Sequence, residues 1–305
     1  MSEETRRLSM AVVDAFTDEP LSGNAAGVIP EADGLDDDQR QAIAREIAAS
    51  ETAFLSGSER ADRRIRYFSP TTEVDLCGHA TIASHAHLFE RGEIEAGTHT
   101  LETNVGVLEI ELRSDGTVWM TQDEPEIEPV DLAYEAVADA LGVDPAALAD
   151  VGADLPPAVA STGLPFLVVP VNFLEHLGNA EPDEGAVAEL CESVDAAGLY
   201  AFTFDTLTAE ATLHGRLFAP PLGIAEDPVT GTASGAVGAY LRAVDAFGED
   251  FPDEMVLEQG HFLDCPGEVR VRVGEDVRVG GRAVEAISGS ITIAEDEDED
   301  GLIEA

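Results

Sequence analysis

Two stretches of the chain, about half its length apart, have the same construction. The segment RYFSP at residues 66–70 recurs as RLFAP at residues 216–220, an offset of 150 (216 − 66). Each copy then runs through a short acidic loop into a glycine followed by small, helix-compatible residues, at Gly78 and at Gly231. These glycines are 153 residues apart (231 − 78), so the second loop is three residues longer. A duplicated unit of strand, loop, glycine and helix predicts two similar halves, with a ligand site where they face each other.

Length and element order predict an α+β protein with two domains. A chain of 305 residues fits two cores of about 150 residues each better than one. The strand-like runs are short and do not alternate regularly with helices, which favours two α+β halves over a parallel βαβ sheet. The proline-rich, acidic segment 123–130 predicts the boundary between the halves. The expected extents are residues 8–122 with 286–296, residues 123–285, and an acidic tail at residues 297–305.

Local patterns predict where the elements lie. Asp36 suits a helix N-cap, and Ile43 and Ile47 are spaced four apart, which predicts a helix over residues 36–49. A hairpin is expected between residues 101–112 and 118–121, with its turn at Ser114-Asp115-Gly116. The other expected helices are 78–89, 132–141, 183–193 and 231–247, and the other expected strands are 8–16, 28–29, 54–55, 65–68, 163–169, 199–206, 211–218, 269–273 and 287–293.

The charge balance is extreme. The chain has 62 acidic and 16 basic residues, a formal charge of −46, and every basic residue is arginine. Self-repulsion of this size destabilises a compact state in dilute buffer, whereas molar salt screens most of it by shortening the Debye length to about 3 Å. The composition therefore predicts adaptation to a salt-saturated cytoplasm, as in an extreme halophile. A disordered acidic chain is disfavoured by the 44% hydrophobic content, and nucleic-acid binding is disfavoured because the surface repels phosphates.

Nothing in the sequence predicts a membrane span or a disulfide framework. Arg6-Arg7 raises a twin-arginine export signal, but the apolar run after it is too short for a signal peptide. No stretch approaches the roughly 20 apolar residues of a spanning helix, so we expect a cytoplasmic protein. The three cysteines are an odd number and form no CxxC pair. Only Cys77, directly before Gly78, lies in a suggestive motif.

The two glycine-initiated helices are the first candidates for a binding site. Helix N-termini present unpaired N–H groups and the positive end of a dipole, which suits a carboxylate. If the halves face each other, both helix starts can converge on one substrate. The alternative is that glycine and alanine only permit close helix packing.

Glu51 is the first candidate for proton transfer. It follows a helix and enters an apolar strand, where desolvation would raise the pKa of its carboxyl toward a useful range. The alternative is an ordinary solvated glutamate. His79 and Asp227, near the two helix starts, are candidates for orienting polar substrate groups, although such a histidine is often structural. No metal site is expected, because His79, His85 and His87 fall on different faces of one helix.

Cys77 is a further candidate, because a thiolate near a helix N-terminus can be activated. Thr230 stands at the matching place in the second copy and has no thiol. A symmetric pair of thiols acting as acid and base is therefore excluded at these two positions.

Together these residues resemble the PhzF family, the phenazine-biosynthesis-like isomerases with a diaminopimelate-epimerase-type fold. The matching segments span most of the chain in the expected order: VDAFT at 13–17, GNAA at 23–26, SETAF at 50–54, RYFSP at 66–70, EVDLCGHAT at 73–81 and EDPVTGTA at 226–233. The resemblance implies two pseudo-symmetric domains, each a curved, mostly antiparallel sheet around a central helix. It also implies a site in the cleft between them, no cofactor, and a homodimer.

The resemblance also implies roles for individual residues. The family's proton-transfer glutamate corresponds to Glu51, and the polar groups of the site correspond to His79 and Asp227. A family serine is replaced by Thr232, which keeps the hydroxyl, and an arginine of a G-R-P-S-type run is absent after Gly260. The residues expected to contact the substrate are Gly78, Gly231, Thr232, Asn24 and Cys77.

The resulting expectation is a cofactor-independent isomerase that moves a proton within a small unsaturated or cyclic carboxylic acid. In phenazine producers the family acts on a dihydro-hydroxyanthranilate, but a shared fold does not transfer a substrate. Neighbouring racemases and epimerases use paired cysteines, and this chain has one at the relevant positions. Two alternatives stay open: an epimerase or racemase that uses Cys77 with a non-thiol partner, and a non-catalytic protein that binds a small acid.

Overall fold

The computed structural model describes residues 5–149, 151 and 155–294, which contain eighteen strands and seven α-helices. The strands are β1 (Thr5–Ala15), β2 (Asn24–Ile29), β3 (Glu51–Ser56), β4 (Arg63–Phe68), β5 (Glu73–Val74), β6 (Gly97–Thr103), β7 (Gly106–Leu112), β8 (Val118–Thr121), β9 (Glu126–Pro129), β10 (Ala158–Ser161), β11 (Pro165–Pro170), β12 (Gly198–Thr203), β13 (Leu213–Ala219), β14 (Ile224–Asp227), β15 (Met255–Gln259), β16 (Gly267–Val273), β17 (Val277–Gly281) and β18 (Ala283–Ala294). The helices are α1 (Asp37–Ile47), α2 (Gly78–Glu90), α3 (Tyr134–Leu141), α4 (Ala146–Ala149), α5 (Leu174–Gly178), α6 (Glu184–Ser193) and α7 (Gly231–Ala243). None of the helices within the described ranges is both long and apolar enough to cross a membrane.

The first half of the chain forms one run of paired strands. In spatial order these are β1, β2, β3, β4, β6, β7 and β8, with β5 paired to β4 as a short hairpin. The pairs β2–β3 and β4–β6 are parallel, and the others are antiparallel. The strands are therefore mostly antiparallel, as expected of an α+β protein.

The second half repeats this order strand for strand. The run is β10, β11, β12, β13, β15, β16 and β17, with β14 paired to β13. The parallel pairs are β11–β12 and β13–β15, which occupy the same places in the run as the two parallel pairs of the first half. The sequence repeat therefore corresponds to a repeat in strand topology.

The two runs exchange their last strands. After β8, the chain crosses over and β9 pairs with β10, while β18 returns from the second run and pairs with β1 from Ala283 to Ala294. The strands just before each crossover, β8 and β17, pair with each other. All eighteen strands are thereby hydrogen-bonded into one continuous sheet. The domain extents expected from the sequence stay a prediction, and the tail at residues 297–305 lies outside the described residues.

One buried helix lies against each run of strands. In α2 every residue from Ala80 to Leu88 is buried, and α7 is buried from Ala233 to Leu241. Small side chains make this possible, because a Cβ at Gly238 would lie only 2.6 Å from Cγ1 of Val271. Both helices belong to the same hydrophobic cluster, which continues across the two runs. The two predicted small-residue helices are present and begin at the predicted glycines.

The segment 101–121, predicted as a hairpin with one turn, contains two turns in the structure. The run 101–112 contains an additional turn, so that β6 ends at Thr103 and β7 starts at Gly106. The reason is local: the Thr103 hydroxyl accepts from the Val105 N–H (3.2 Å) and donates to the Gly106 carbonyl (2.9 Å). The segment 123–130, predicted only as a boundary, also contains strand β9.

Candidate active site

Glu51 is the first residue of β3, directly after α1 and its C-terminal loop. Ala48 adopts a left-handed conformation (φ 58°) that ends α1 and redirects the chain into the strand. Pairing of Ala26 with Glu51 then fixes the position of β3 beside β2. The Glu51 side chain is 22% exposed, so its carboxyl is accessible without standing in open solvent.

The N-terminus of α2 lies against the Glu51 carboxylate. His79 Nε2 is 3.4 Å from Glu51 Oε2, and Cys77 Sγ is 3.8 Å from the same oxygen. Cys77 Sγ is also 3.4 Å from His79 Nδ1. The Ser50 hydroxyl completes this group at 3.2 Å from His79 Nε2. The start of β3 and the start of α2 therefore bring a carboxyl, a thiol and an imidazole into contact.

Asp227 belongs to the second half, where it is the last residue of β14, shortly before α7 begins at Gly231. Its carboxylate accepts hydrogen bonds from the Thr230 hydroxyl and from Asn24 Nδ2, the latter at 3.1 Å. The same Asn24 amide donates to the Val229 carbonyl at 2.8 Å. Gln259 Nε2 donates to the Asp227 carbonyl at 2.8 Å. Asn24, a first-half residue, is thus bound directly to the second-half loop that carries Asp227.

The charged groups of the site influence one another's pKa values. Burial raises the pKa of the Asp227 carboxyl, and the Glu51 carboxylate raises it further, while the Thr230 hydroxyl and His79 oppose the rise. Burial also raises the pKa of the Cys77 thiol well above its usual value, with the negative charges of Glu51 and Asp227 adding to the effect. The structure therefore speaks against the expected activation of Cys77, because burial and two carboxylates raise the pKa of its thiol and outweigh the helix N-terminus.

The two helix starts are not equivalent. Helices α2 and α7 contact each other directly, and the N-caps Cys77 and Thr230 adopt extended conformations without a capping side-chain bond. A Cβ built on Gly231 would lie 2.9 Å from the Phe16 ring, whereas one on Gly78 would meet only Met120 Sδ at 3.6 Å. Close packing thus accounts for the glycine at 231 but not for the glycine at 78.

The structure brings most of the predicted site residues together. Glu51, Cys77 and His79 are in contact, Asn24 binds Asp227, and Gly78 and Gly231 start the two helices. Thr232 is the second residue of α7, and its carbonyl accepts from the Thr162 hydroxyl at 3.2 Å. The assigned roles of these residues stay predictions. A separate open pocket of about 300 Å³ beside Phe16, Arg270 and Arg282 contains none of them.

Three further polar residues of the site were not predicted. Ser50 contacts His79, and Thr230 contacts Asp227. Gln259 donates to the Asp227 carbonyl and so holds the loop from Asp227 to Thr230. Ser50 and Thr230 stand beside residues that the sequence did single out. Gln259 is the last residue of β15, whose sequence MVLEQ has no clear alternation that would mark it for the site.

The same region contains the cluster of possible metal ligands. One ligand atom each of Glu51, Cys77 and His79 lies within 4.8 Å of the other two. The sequence considered only the histidines of α2 as ligands. His85 instead bonds the Thr81 carbonyl at 2.9 Å, and His87 lies 3.4 Å from Glu285.

Comparisons with known proteins agree with this fold and these motifs. The model of the PhzC-PhzF family, described as phenazine biosynthesis-like protein, matches residues 13–289. The chain is 37% identical over 287 residues to the uncharacterized isomerase YfhB of Bacillus subtilis, covering 92% of this chain and 95% of YfhB. The crystal structure of a Bacillus anthracis phenazine biosynthesis protein of the PhzF family superposes with a TM-score of 0.85 at 33% identity, covering 94% of this chain and 99% of that one.

The wider fold is shared with a more distant enzyme. The crystal structure of a hydroxyproline epimerase from Agrobacterium vitis has a TM-score of 0.60 at 15% identity, with 96% of this chain and 94% of that one covered. At that identity the likeness concerns the fold alone. With a family model that matches nearly the whole chain and a close relative of almost equal extent, the chain belongs to the PhzC-PhzF family, as its motifs predicted.

Proposed function

We propose that this member of the family is a cofactor-independent isomerase that moves a proton within a small unsaturated or cyclic carboxylic acid, with Glu51 as the general acid and base. The observation that carries the proposal is the contact of the Glu51 carboxylate with His79, 3.4 Å apart, at the N-terminus of α2. The curated relative YfhB is named an isomerase, and the neighbouring structure from Bacillus anthracis belongs to the PhzF family. Neither name states a substrate.

The partial exposure of Glu51 supports its proposed role in proton transfer to and from carbon. Its carboxylate is partly shielded from solvent, yet 22% of the side chain is exposed, so a substrate carbon can approach it. The proton would leave a carbon next to the substrate's unsaturated system and return at another carbon of the same system. A positioned group of this kind contributes about 10²–10⁴-fold to the rate.

His79 and Asp227 would hold the polar groups of the substrate on either side. His79 contacts Glu51 directly and would steady the substrate as charge develops on it. The raised pKa of Asp227 makes its neutral form more accessible, and a neutral carboxyl can donate a hydrogen bond to an oxygen that becomes negative. Backbone amides at the starts of α2 and α7 would bind the substrate carboxylate. The homodimer expected from the family stays a prediction.

The epimerase alternative has less support at this site. A two-thiol mechanism needs a second cysteine where the chain has Thr230. Cys77, the remaining thiol, is buried, and its burial beside the Glu51 carboxylate raises its pKa. Cys77 therefore lines the site in this proposal, and Glu51 is the stronger candidate for the base.

Solvent-deuterium incorporation tests the proposal. The wild-type protein in molar KCl would be incubated in D₂O with a panel of small cyclic and unsaturated carboxylic acids, and exchange would be followed by NMR. We expect Glu51→Gln to lower exchange by about 10²–10⁴-fold, while the matched control Glu46→Gln, on the exposed face of α1, leaves it unchanged.

Two results would contradict this assignment. Exchange that survives Glu51→Gln but is abolished by Cys77→Ser would favour the epimerase alternative. Saturable binding of an acid to the wild type with no deuterium incorporation would favour a non-catalytic binding protein.

A further inference from the structure

One edge of the long strand β18 has no strand beside it. Among the described residues, β18 pairs only with β1, from Ala283 to Ala294, so the backbone groups of its other edge lack a strand partner. Residues 287–290 are all exposed, and Ile287 is 53% exposed. We propose that this edge pairs with the same edge of a second copy of the chain, antiparallel and centred on Gly289, which joins two sheets across a two-fold axis. This pairing does not depend on the proposed isomerase reaction.

The sequence along this edge is palindromic. Residues 287–291 are Ile-Ser-Gly-Ser-Ile, with Gly289 at the centre. A two-fold interface brings the same surface of both subunits together, so each side must complement itself. With the axis at Gly289, antiparallel pairing places Ile287 opposite Ile291 of the partner subunit, serine opposite serine and glycine opposite glycine. The palindrome therefore supplies the self-complementarity that a pair of identical edges requires.

Ile287 gains an apolar neighbour in this register. Side chains two residues apart lie on the same face of a strand, so Ile287 and Ile291 share a face. Ile291 packs against the hydrophobic cluster that contains Leu8, Ile43 and Phe54, whereas Ile287 is largely exposed. Pairing Ile287 with Ile291 of the partner subunit extends that cluster across the axis and removes apolar surface of both copies from water.

Gly289 has no role within one copy of the chain that requires a glycine. It lies inside β18 and is not among the glycines with positive φ. A Cβ built on it would meet no atom within 4 Å, so internal packing does not require glycine either. Glycine weakens the interior of a strand, and it often marks a place where another backbone approaches closely. The centre of a strand-to-strand interface is such a place.

The charge distribution favours a second copy as the partner. The chain has 78 charged residues (62 + 16), yet residues 286–294 contain none of them. Exposed edge strands are usually protected from pairing by lysine, by proline or by inward-pointing charges, and this stretch has none of these residues. Two chains of charge −46 repel each other over most of their surfaces. They can meet most favourably where each presents an uncharged strand.

Analytical ultracentrifugation of the full chain tests the interface. We expect a dimer of twice 32.1 kDa, with a dissociation constant that falls as KCl rises from about 0.1 to 1 M, because salt screens the repulsion between the copies. Ile287→Lys should raise this constant at least about tenfold. The matched control Val107→Lys, which adds the same charge at an exposed position of β7, should leave it unchanged.

Cysteine cross-linking tests the register independently of Ile287. The variants would carry Cys265→Ser, which leaves only buried cysteines in the background. Gly289→Cys should form a disulfide-linked dimer on mild oxidation, because residues directly opposite each other have Cβ atoms about 4.5–5.5 Å apart. The matched control Thr292→Cys should not, because its two copies would lie about 20 Å apart along the strands.

The outcomes decide the proposal whatever the activity. A wild type that is monomeric at every salt concentration would overturn it, as would a dimer that dissociates as salt is added, which would indicate ion pairs. A dimer that Ile287→Lys leaves intact, or one in which Thr292→Cys cross-links as readily as Gly289→Cys, would place the interface elsewhere and also overturn it. The expected pattern of variants supports the interface even if no acid exchanges deuterium.

Discussion

Asp227 is a half-buried acid whose ionisation opposes folding. Its folded pKa is raised, first by burial and then by the Glu51 carboxylate. The unfolded chain therefore loses this proton at a lower pH than the folded one does, so this group's contribution to stability declines as pH rises above about 3.8. An acid that lowers the stability of the fold in this way, within a candidate active site, is typical of a residue retained for function rather than for stability.

We predict that Asp227→Asn gains stability relative to wild type as pH rises from about 4 to 7. Asn cannot ionise, so it lacks the declining contribution, while any constant effect of altered bonds to Asn24 and Thr230 is the same at each pH. Urea unfolding of both proteins in molar KCl at several pH values measures the difference. A difference that stays constant or shrinks with rising pH would show that Asp227 is not held with a raised pKa.

At the scale of elements, the two central helices start with glycine for different reasons. Gly231 faces the Phe16 ring, so an added methyl group would require movement of a buried ring. Gly78 has ordinary space around its missing side chain, with Met120 Sδ at 3.6 Å. A glycine that packing does not require, at a helix N-terminus beside Glu51 and His79, is consistent with close approach of a substrate to the backbone.

We predict opposite consequences for alanine at these two positions. Gly231→Ala should destabilise the fold by about 1–3 kcal/mol through overpacking. Gly78→Ala should leave stability unchanged or raise it by up to about 1 kcal/mol, yet reduce kcat/KM at least tenfold. Chemical unfolding and the deuterium-exchange assay measure the two effects. Full activity in Gly78→Ala would remove the backbone at Gly78 from substrate binding.

An arginine–glutamate pair recurs in each copy of the repeat. Arg66 binds Glu73 through Nε and Nη2, both at 2.6 Å, and Arg216 binds Glu226 through the same two atoms, both at 2.8 Å. The two glutamates are 153 residues apart (226 − 73), the same offset as the helix glycines. The first pair ties β4 to the short strand β5 that precedes α2, and the second ties β13 to the short strand β14 that precedes α7.

We predict that Arg216→Lys costs more stability than its matched control Arg66→Lys. Arg216 Nη1 also donates to the carbonyls of Leu177 and Ala180, and its side chain is 9% exposed against 17% for Arg66. A lysine cannot replace this fork, and a buried acceptor left unpaired costs about 1–3 kcal/mol, whereas the more exposed copy should lose about 1 kcal/mol or less. Equal losses in urea unfolding would contradict the difference.

Elements with local signals were predictable, and elements that depend on distant partners were not. The starts of α2 and α7 follow from glycine and small residues, and the capping box of Asp36 and Gln39 marks the start of α1. Strands β5, β9, β10, β14, β15 and β17 were missed, because two to five residues carry little pattern of their own and are held by their neighbours. The contact of Glu51 with His79 needed the parallel pairing of β2 with β3, which no local pattern shows.

At the scale of the molecule, the exchange of β9 and β18 joins the two repeats into one sheet. The sequence predicted two halves and a site between them, but it could not show which strands cross over, since strand pairing is set over hundreds of residues. The bond from Asn24 to Asp227 spans 203 positions in the sequence. The two halves are therefore held together by backbone pairing between strands and by the hydrogen bond from Asn24 to Asp227.

The charge of −46 predicts that stability depends strongly on salt. Salt weakens attractive pairs, such as those of Arg270 and Arg272 with Glu254, but partly exposed pairs contribute only about 0–1 kcal/mol each. Acids exceed bases by 46 (62 − 16), so repulsion outweighs these attractions and its screening should raise the melting temperature.

The Debye length falls from about 10 Å at 0.1 M to about 3 Å at 1 M and changes little at higher salt. Most of the gain should therefore occur below about 1 M KCl, whereas preferential exclusion of salt from the surface would raise stability steadily at all concentrations. Thermal unfolding across this range measures the curve, and a melting temperature that is flat or falling between 0.1 and 1 M would refute adaptation to high salt.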